Sequence, residues 1–307
     1  MNNQQEQFIR THTTNTDILN KIVQEAMGTP IKQLARINKG QTNEVYFIDV
    51  KDGSCILRIA KGVTYDSFAI ERWAMQEVSR HGVPVAAILA QGSVVERDEA
   101  ICYQIQEKLA GESMDSLLAQ GKLKRDQSER LTEQAGELLA AIHSVSTFGW
   151  GRITQPPHGI YGSFEQWMLA FQEDAEQLDK ALAQFNALGV PRFEEVWQAL
   201  RHLDSFAVRT PVLLHYDLTP DHILVGSDES ITGVIDWGAV HSGDPVRDLV
   251  RWNYWDPSSC PIDWLASTYG QSLVTGKGFE ERLKLARIMD ALLLLHSATY
   301  KSSEVAD

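Results

Sequence analysis

Apolar residues at helical spacing, Ile18, Leu19, Ile22, Val23 and Ala26, run up to Gly28-Thr29-Pro30. They predict a leader helix capped at Thr16-Asp17. Short runs with β-branched and aromatic character follow at 31–37, 44–50, 55–60, 86–93 and 101–107, punctuated by turns at Lys39-Gly40 and Lys51-Asp52-Gly53. These predict an antiparallel sheet. One helical pattern, 67–81, interrupts the strands and stops at Gly82 with Pro84 beyond it.

From Met114 onward the patterns are mostly helical, at 127–143, 163–188, 193–203 and 278–297, with short β-like runs at 212–214, 223–225 and 232–235. Strands give way to helices near Lys108–Gly111 without a Pro- or Ser-rich linker, so a hinge is expected there. The expected division is an N-terminal lobe, 1–107, and a C-terminal helical lobe, 108–307, in an α+β fold. A chain of 307 residues can bury a core in each.

The net charge of −13, from 28 Lys+Arg against 41 Asp+Glu, argues against a nucleic-acid partner and suits a cationic or neutral one, though acidity also serves solubility alone. Cys55, Cys102 and Cys260 are scattered and odd in number, which indicates neither a disulfide framework nor a zinc site. The polar start MNNQQEQFIR and the brevity of the apolar stretch 288–295 predict a cytoplasmic protein without a membrane partner.

Candidate chemistry concentrates in LLHYDLTPDHILVGSDESITGVIDWGAVHSGDPVRDL, residues 213–249. Asp217 follows one apolar run and Asp236 ends another, so two short strands would present both carboxylates at one rim. Phosphoryl transfer needs such a pair: one to accept the hydroxyl proton, the other to hold magnesium on the phosphates. Gly238 allows close backbone approach beside a metal.

The ordered set HYDLTPDHIL, GVIDWG and GDPVRDL resembles the aminoglycoside phosphotransferase and choline kinase superfamily, relatives of protein kinases. The resemblance implies a protein-kinase-like two-lobe fold, with Asp217 as catalytic base and Asp236 as magnesium ligand. It also implies that His215 ties the loop together and that Asp244 and Asp248 are caps or loop anchors. The family usually places Asn where this chain has His222. An imidazole there can bind a divalent metal or hydrogen-bond the loop, and macrolide phosphotransferases are similar in having His, so His222 is carried as a metal ligand.

The same resemblance extends to the first lobe. The segment from Asn38 through Gly40 and Asn43 to Tyr46 is similar to the family's nucleotide loop. Arg58 interrupts an apolar strand where protein kinases carry a phosphate-binding Lys, and Lys61, on the opposite face and expected in the following loop, is its rival. Glu71 is the expected partner of Arg58, with Glu77 the alternative. Glu107 to Leu109 resemble the interlobe segment whose backbone would meet a purine edge.

In the second lobe, Ala141–Ser144 and Thr147–Gly151 resemble segments of hygromycin-type and macrolide-type antibiotic kinases, and His143 reads as a core or capping residue. Tyr254, Trp255, Asp256 and Asp263 would line an acceptor site.

The expectation is therefore transfer of the γ-phosphoryl group of ATP or GTP, with Mg2+, to a hydroxyl of an aminoglycoside-like antibiotic. The alternatives are a choline, homoserine or sugar-amine kinase, a macrolide kinase, and a nucleotide-binding regulator without catalysis.

Overall fold

The computed structural model describes residues 13–37, 43–61, 67–96, 99–173, 210–252, 258–270 and 278–303. The helix expected at 193–203 and the distal part of that expected at 163–188 lie outside them.

Helix α1 (Thr16–Met27) buries Leu19, Ile22 and Val23. Its cap is Asn15 rather than Thr16-Asp17: the Asn15 side chain accepts the Asp17 N–H at 2.9 Å, leaving Thr16 as the first helical residue. Gly28 closes the helix in the left-handed region, φ +69°. Strands β1 (Gln33–Ile37), β2 (Glu44–Val50) and β3 (Gly53–Lys61) precede helix α2 (Ser67–Arg80), and β4 (Ile88–Glu96) and β5 (Glu99–Glu107) follow it. All five strands form one antiparallel sheet in the order β1-β2-β3-β5-β4.

The central position of β3 decides what it can carry. Cys55, Leu57 and Ile59 join Tyr46, Ile48, Val50 and α1 in one apolar cluster, while Arg58, pointing to the opposite face, is buried against α2. Lys61 is the last residue of β3, paired with Ile101, and not a loop residue as expected; its ammonium lies 3.1 Å from Glu44, on the face away from Arg58.

Helix α2 turns Ile70, Ala74, Met75 and Val78 into a second apolar cluster shared with the chain beyond residue 111. That region comprises β6 (Glu112–Ser113), α3 (Met114–Ala119), α4 (Arg125–His143), β7 (Trp150–Gln155), β8 (His158–Tyr161), α5 (Phe164–Glu173), β9 (Val212–Leu214), β10 (Ile223–Val225), β11 (Ile231–Val234), β12 (His241–Gly243), α6 (Val246–Trp252), α7 (Ile262–Tyr269) and α8 (Phe279–Ser303). The hairpin β7–β8 was not expected from sequence. Its pairing is broken by register shifts, so buried and exposed positions do not alternate cleanly.

Two small sheets, β11-β10-β6 and β8-β7-β12-β9, frame the segment expected to carry the chemistry. Strand β9 pairs with β12 and β10 with β11, so the turns 215–222 and 235–240 leave neighbouring strand ends toward the same side. The Ile235 N–H donates to the His222 carbonyl at 3.0 Å and binds one turn to the other. No helix among the described residues is long and apolar enough to cross a membrane.

Candidate active site

The two turns bring Asp217, His222 and Asp236 together, with one donor atom from each within 4.8 Å of the others. The 3-10 turn Pro220–His222 folds His222 back so that its Nδ1 lies 2.6 Å from the Asp217 carbonyl oxygen. A carbonyl only accepts, so Nδ1 carries the proton and, in the neutral ring, Nε2 is a bare lone pair. That lone pair faces Asp236 Oδ2 at 3.7 Å. Two acceptors held face to face at this distance suit a shared cation, and the donor set of two carboxylates and an imidazole fits a divalent ion.

Asp236 sits in the left-handed region at φ +63°, ψ +63°, a conformation costing a non-glycine residue about 1–3 kcal/mol. The strain turns its carboxylate out of the β11 line toward the cleft, where half of the side chain remains open. Burial pushes the Asp236 carboxyl up, but Arg58, His222, His215 and the Gly238 N–H together hold it below the usual carboxylate range. Asp217 goes the other way: partial burial raises it, the charge of Asp236 adds to this, and His222 and Arg251 only partly oppose. One carboxylate is thereby kept ionised and the other made more basic.

Arg58 descends on this group from the first sheet. Its guanidinium is hydrogen-bonded to Glu71, lies over the Phe68 ring at 5.3 Å and approaches Asp236 Oδ1 to 3.6 Å. Burial works against its charge, yet Glu71 and Asp236 more than compensate and raise its pKa further. Glu71 is 2% exposed, whereas the alternative partner Glu77 pairs with Arg80 on the surface.

The loop itself is held from behind. His215 is fully buried, its Nδ1 accepting the Asp217 N–H at 3.3 Å and its Nε2–H donating to the Ile235 carbonyl at 3.0 Å. Burial, with the nearby His222, pushes its pKa down to about 4, so it stays a neutral frame. Asp248 accepts the N–H groups of both His215 and Tyr216, and Asp244 accepts the Val246 N–H at the start of α6 and pairs with Arg282. His143 lies in the core between Asp248 and Tyr269.

A profile of the phosphotransferase enzyme family matches residues 33–263, most of the chain and all of this site. The chain belongs to the phosphotransferase enzyme family. By structure it is similar to a fructosamine-3-kinase candidate from Haemophilus somnus 129PT, with a TM-score of 0.63, 16% identity, and 92% of this chain and 91% of that chain covered. It also resembles an aminoglycoside-3'-phosphotransferase of type VIII, with a TM-score of 0.54, 18% identity, and coverage of 90% and 98%. Likeness at such identity speaks to the protein-kinase-like fold. In sequence, 81 residues are 35% identical to the uncharacterized protein YcbJ of Bacillus subtilis (strain 168); the match takes in 25% of this chain and only 26% of that relative's length.

Other expected positions in this phosphotransferase are less convergent. Gly40, Tyr254, Trp255 and Asp256 lie outside the described residues. Asn43 directly precedes β2, whose Val45 pairs with Arg58. At the interlobe segment the Glu107 N–H already donates to the Ala87 carbonyl at 2.8 Å, so this amide is taken, and Leu109 packs into the space above Gly233. Asp263 was expected at an acceptor site. It lies exposed in the first turn of α7, where a carboxylate suits the helix N-terminus.

Sequence reasoning missed the linked group of half-buried Tyr216 and buried Arg247 and Asp290 next to Asp217. Tyr216 is the one with a readable cue, standing inside HYD, but a tyrosine there does not announce a backbone at φ +67°.

Proposed function

We propose that this phosphotransferase is a small-molecule kinase that moves the γ-phosphoryl group of ATP or GTP to a hydroxyl group. What carries the reading is one arrangement: Asp217, His222 and Asp236 gathered around a common point, with the Glu71-anchored Arg58 3.6 Å from Asp236. In this reading residues 1–107 are the nucleotide lobe and 108–307 the catalytic and acceptor lobe, and the protein works in the cytoplasm.

Asp217 orients the acceptor hydroxyl and takes its proton as the oxygen attacks the γ-phosphorus; the bond to the β-phosphate oxygen breaks and the nucleoside diphosphate leaves. The raised pKa of Asp217 suits proton acceptance. Asp236 and His222 would hold Mg2+, which when bound neutralises charge on the phosphates. Arg58 is braced to contact the α/β-phosphates, and the 107–109 segment offers its remaining backbone groups to the base. For the acceptor we favour an aminoglycoside-like antibiotic over a choline, homoserine, sugar-amine or macrolide acceptor, in keeping with the family resemblance and the net charge of −13.

The test incubates the protein with labelled ATP or GTP, magnesium, and a panel of aminoglycosides, macrolides, amino alcohols and ketoamine sugars. Transfer to one class, reduced about 10²–10⁴-fold in Asp217→Asn with nucleotide binding retained, is the expected result. Nucleotide binding without any turnover in the unaltered protein would instead identify a regulator.

A further inference from the structure

Tyr216, immediately before the base, is fastened at both ends. Its backbone N–H donates to Asp248 Oδ1 at 2.7 Å, and its hydroxyl receives a hydrogen bond from Arg247 Nη2 at 2.6 Å. Its ring stacks on His241 with centroids 3.7 Å apart, and two guanidinium groups approach it, Arg247 at 5.0 Å and Arg251 at 5.1 Å from the ring centre. Arg247 is 2% exposed, and its guanidinium also lies over the Trp167 ring at 4.9 Å.

Both arginines converge on one carboxylate. Asp290, wholly buried on α8, hydrogen-bonds Arg247 across 43 positions and lies 3.0 Å from Arg251 Nε. Burying an ion in this way costs free energy that a pair of apolar residues would avoid, so stability alone is a poor reason for it. The backbone strain at Tyr216 is likewise located one residue from the reacting group.

We propose that Asp290 is a positioning residue for phosphoryl transfer, acting through Arg247 and the Tyr216 hydroxyl to fix the direction in which the following residue, Asp217, presents its carboxylate. The last helix thereby braces the catalytic turn from outside the nucleotide and metal groups. If Arg247 loses its anchor, Tyr216 is free to relax from φ +67°, and the peptide it shares with Asp217 rotates.

The inference rests on the kinase reading, and the experiment separates the two. Magnesium-dependent turnover of ATP and the Kd for magnesium–ADP are measured for Asp290→Asn, Arg247→Lys, Tyr216→Phe and the Tyr216→Phe/Asp290→Asn double variant. Each single change is expected to lower kcat by about 10- to 100-fold while the Kd stays within about 2-fold, because the geometry at the base moves and Arg58 does not. The double variant should be no worse than the poorer single one, as for residues acting in series. Wild-type kcat in Tyr216→Phe, additive losses, or a Kd that worsens in step with kcat would overturn the brace. Absence of turnover in the unaltered protein would sink the kinase reading instead. The brace is then judged by amide hydrogen exchange at 215–218, which Asp290→Asn must accelerate; unchanged exchange refutes it.

Discussion

Asp248 accepts the backbone N–H of Tyr216 at 2.7 Å across 32 positions, and its other oxygen takes the N–H of His215 at 2.8 Å. One buried carboxylate thus satisfies two amides of the turn that carries Asp217, and His143 Nε2 adds a third contact at 3.1 Å. Burial pushes this carboxyl up, but the bond and charge of His143, the nearby His215 and the Tyr216 N–H outweigh it and leave it below its ordinary 3.8. A depressed folded pKa means stability that is present above the unfolded value and lost as pH falls through the folded one. Asp248→Asn, whose amide nitrogen must face a backbone N–H, is expected to cost about 2–4 kcal/mol near neutral pH. Its penalty should shrink below about pH 4, where the wild type loses the same contribution. Urea unfolding across that range checks both points, and a penalty that does not depend on pH would count against the charge.

The Arg58–Glu71 pair lets structural and functional roles be separated. Arg58→Ala leaves Glu71 buried and uncompensated, a loss of about 3–5 kcal/mol. Replacing both partners, Arg58→Met with Glu71→Leu, should recover most of that stability, since apolar residues of similar volume substitute well for buried ion pairs. Turnover should stay at least about 10-fold down in the double variant, because no cation then reaches toward Asp236. Recovery of activity together with stability would show the pair to be scaffolding alone.

The pairing of Arg58 with Glu71 was legible through the family resemblance, which marks a charge interrupting an apolar strand and a glutamate on the following helix at the family's spacing from the turn at 82–85. Asp217 and Asp236 stood at the ends of apolar runs, and their convergence needed no information beyond strand ends. Asp290 had no such cue: its partners are 39 to 43 positions away, and an acid within a helix reads as a solvated face. The β7–β8 hairpin escaped for a different reason, its bulged pairing having erased the period-2 pattern that marks strands.

Gly136 lies inside α4, where alanine is ordinarily the better helix former by about 1 kcal/mol. A Cβ at this position would stand 2.2 Å from the Leu265 carbonyl oxygen and 2.4 Å from Thr268 Oγ1 on α7. Backbone cannot yield as a flexible side chain can, so overpacking, typically about 1–3 kcal/mol or more, outweighs propensity. Gly136→Ala is expected to lower the thermal midpoint rather than raise it. A rise would mean that α7 shifts freely against α4.

The proposed role of His222 as a metal ligand makes the choice of metal testable. With Nδ1–H committed to the Asp217 carbonyl, Nε2 is the atom offered beside Asp236, and nitrogen suits manganese or cobalt better than magnesium, which prefers oxygen. Turnover of the wild type should therefore saturate at lower Mn2+ than Mg2+ concentration. His222→Asn puts an amide oxygen near the same place and should narrow that preference while keeping activity within about 10-fold, whereas His222→Ala should weaken activation by every divalent ion, by about 10- to 100-fold. Titrating each variant with both metals decides the matter, because a histidine that only supports the loop would leave the manganese-to-magnesium ratio the same in all three proteins.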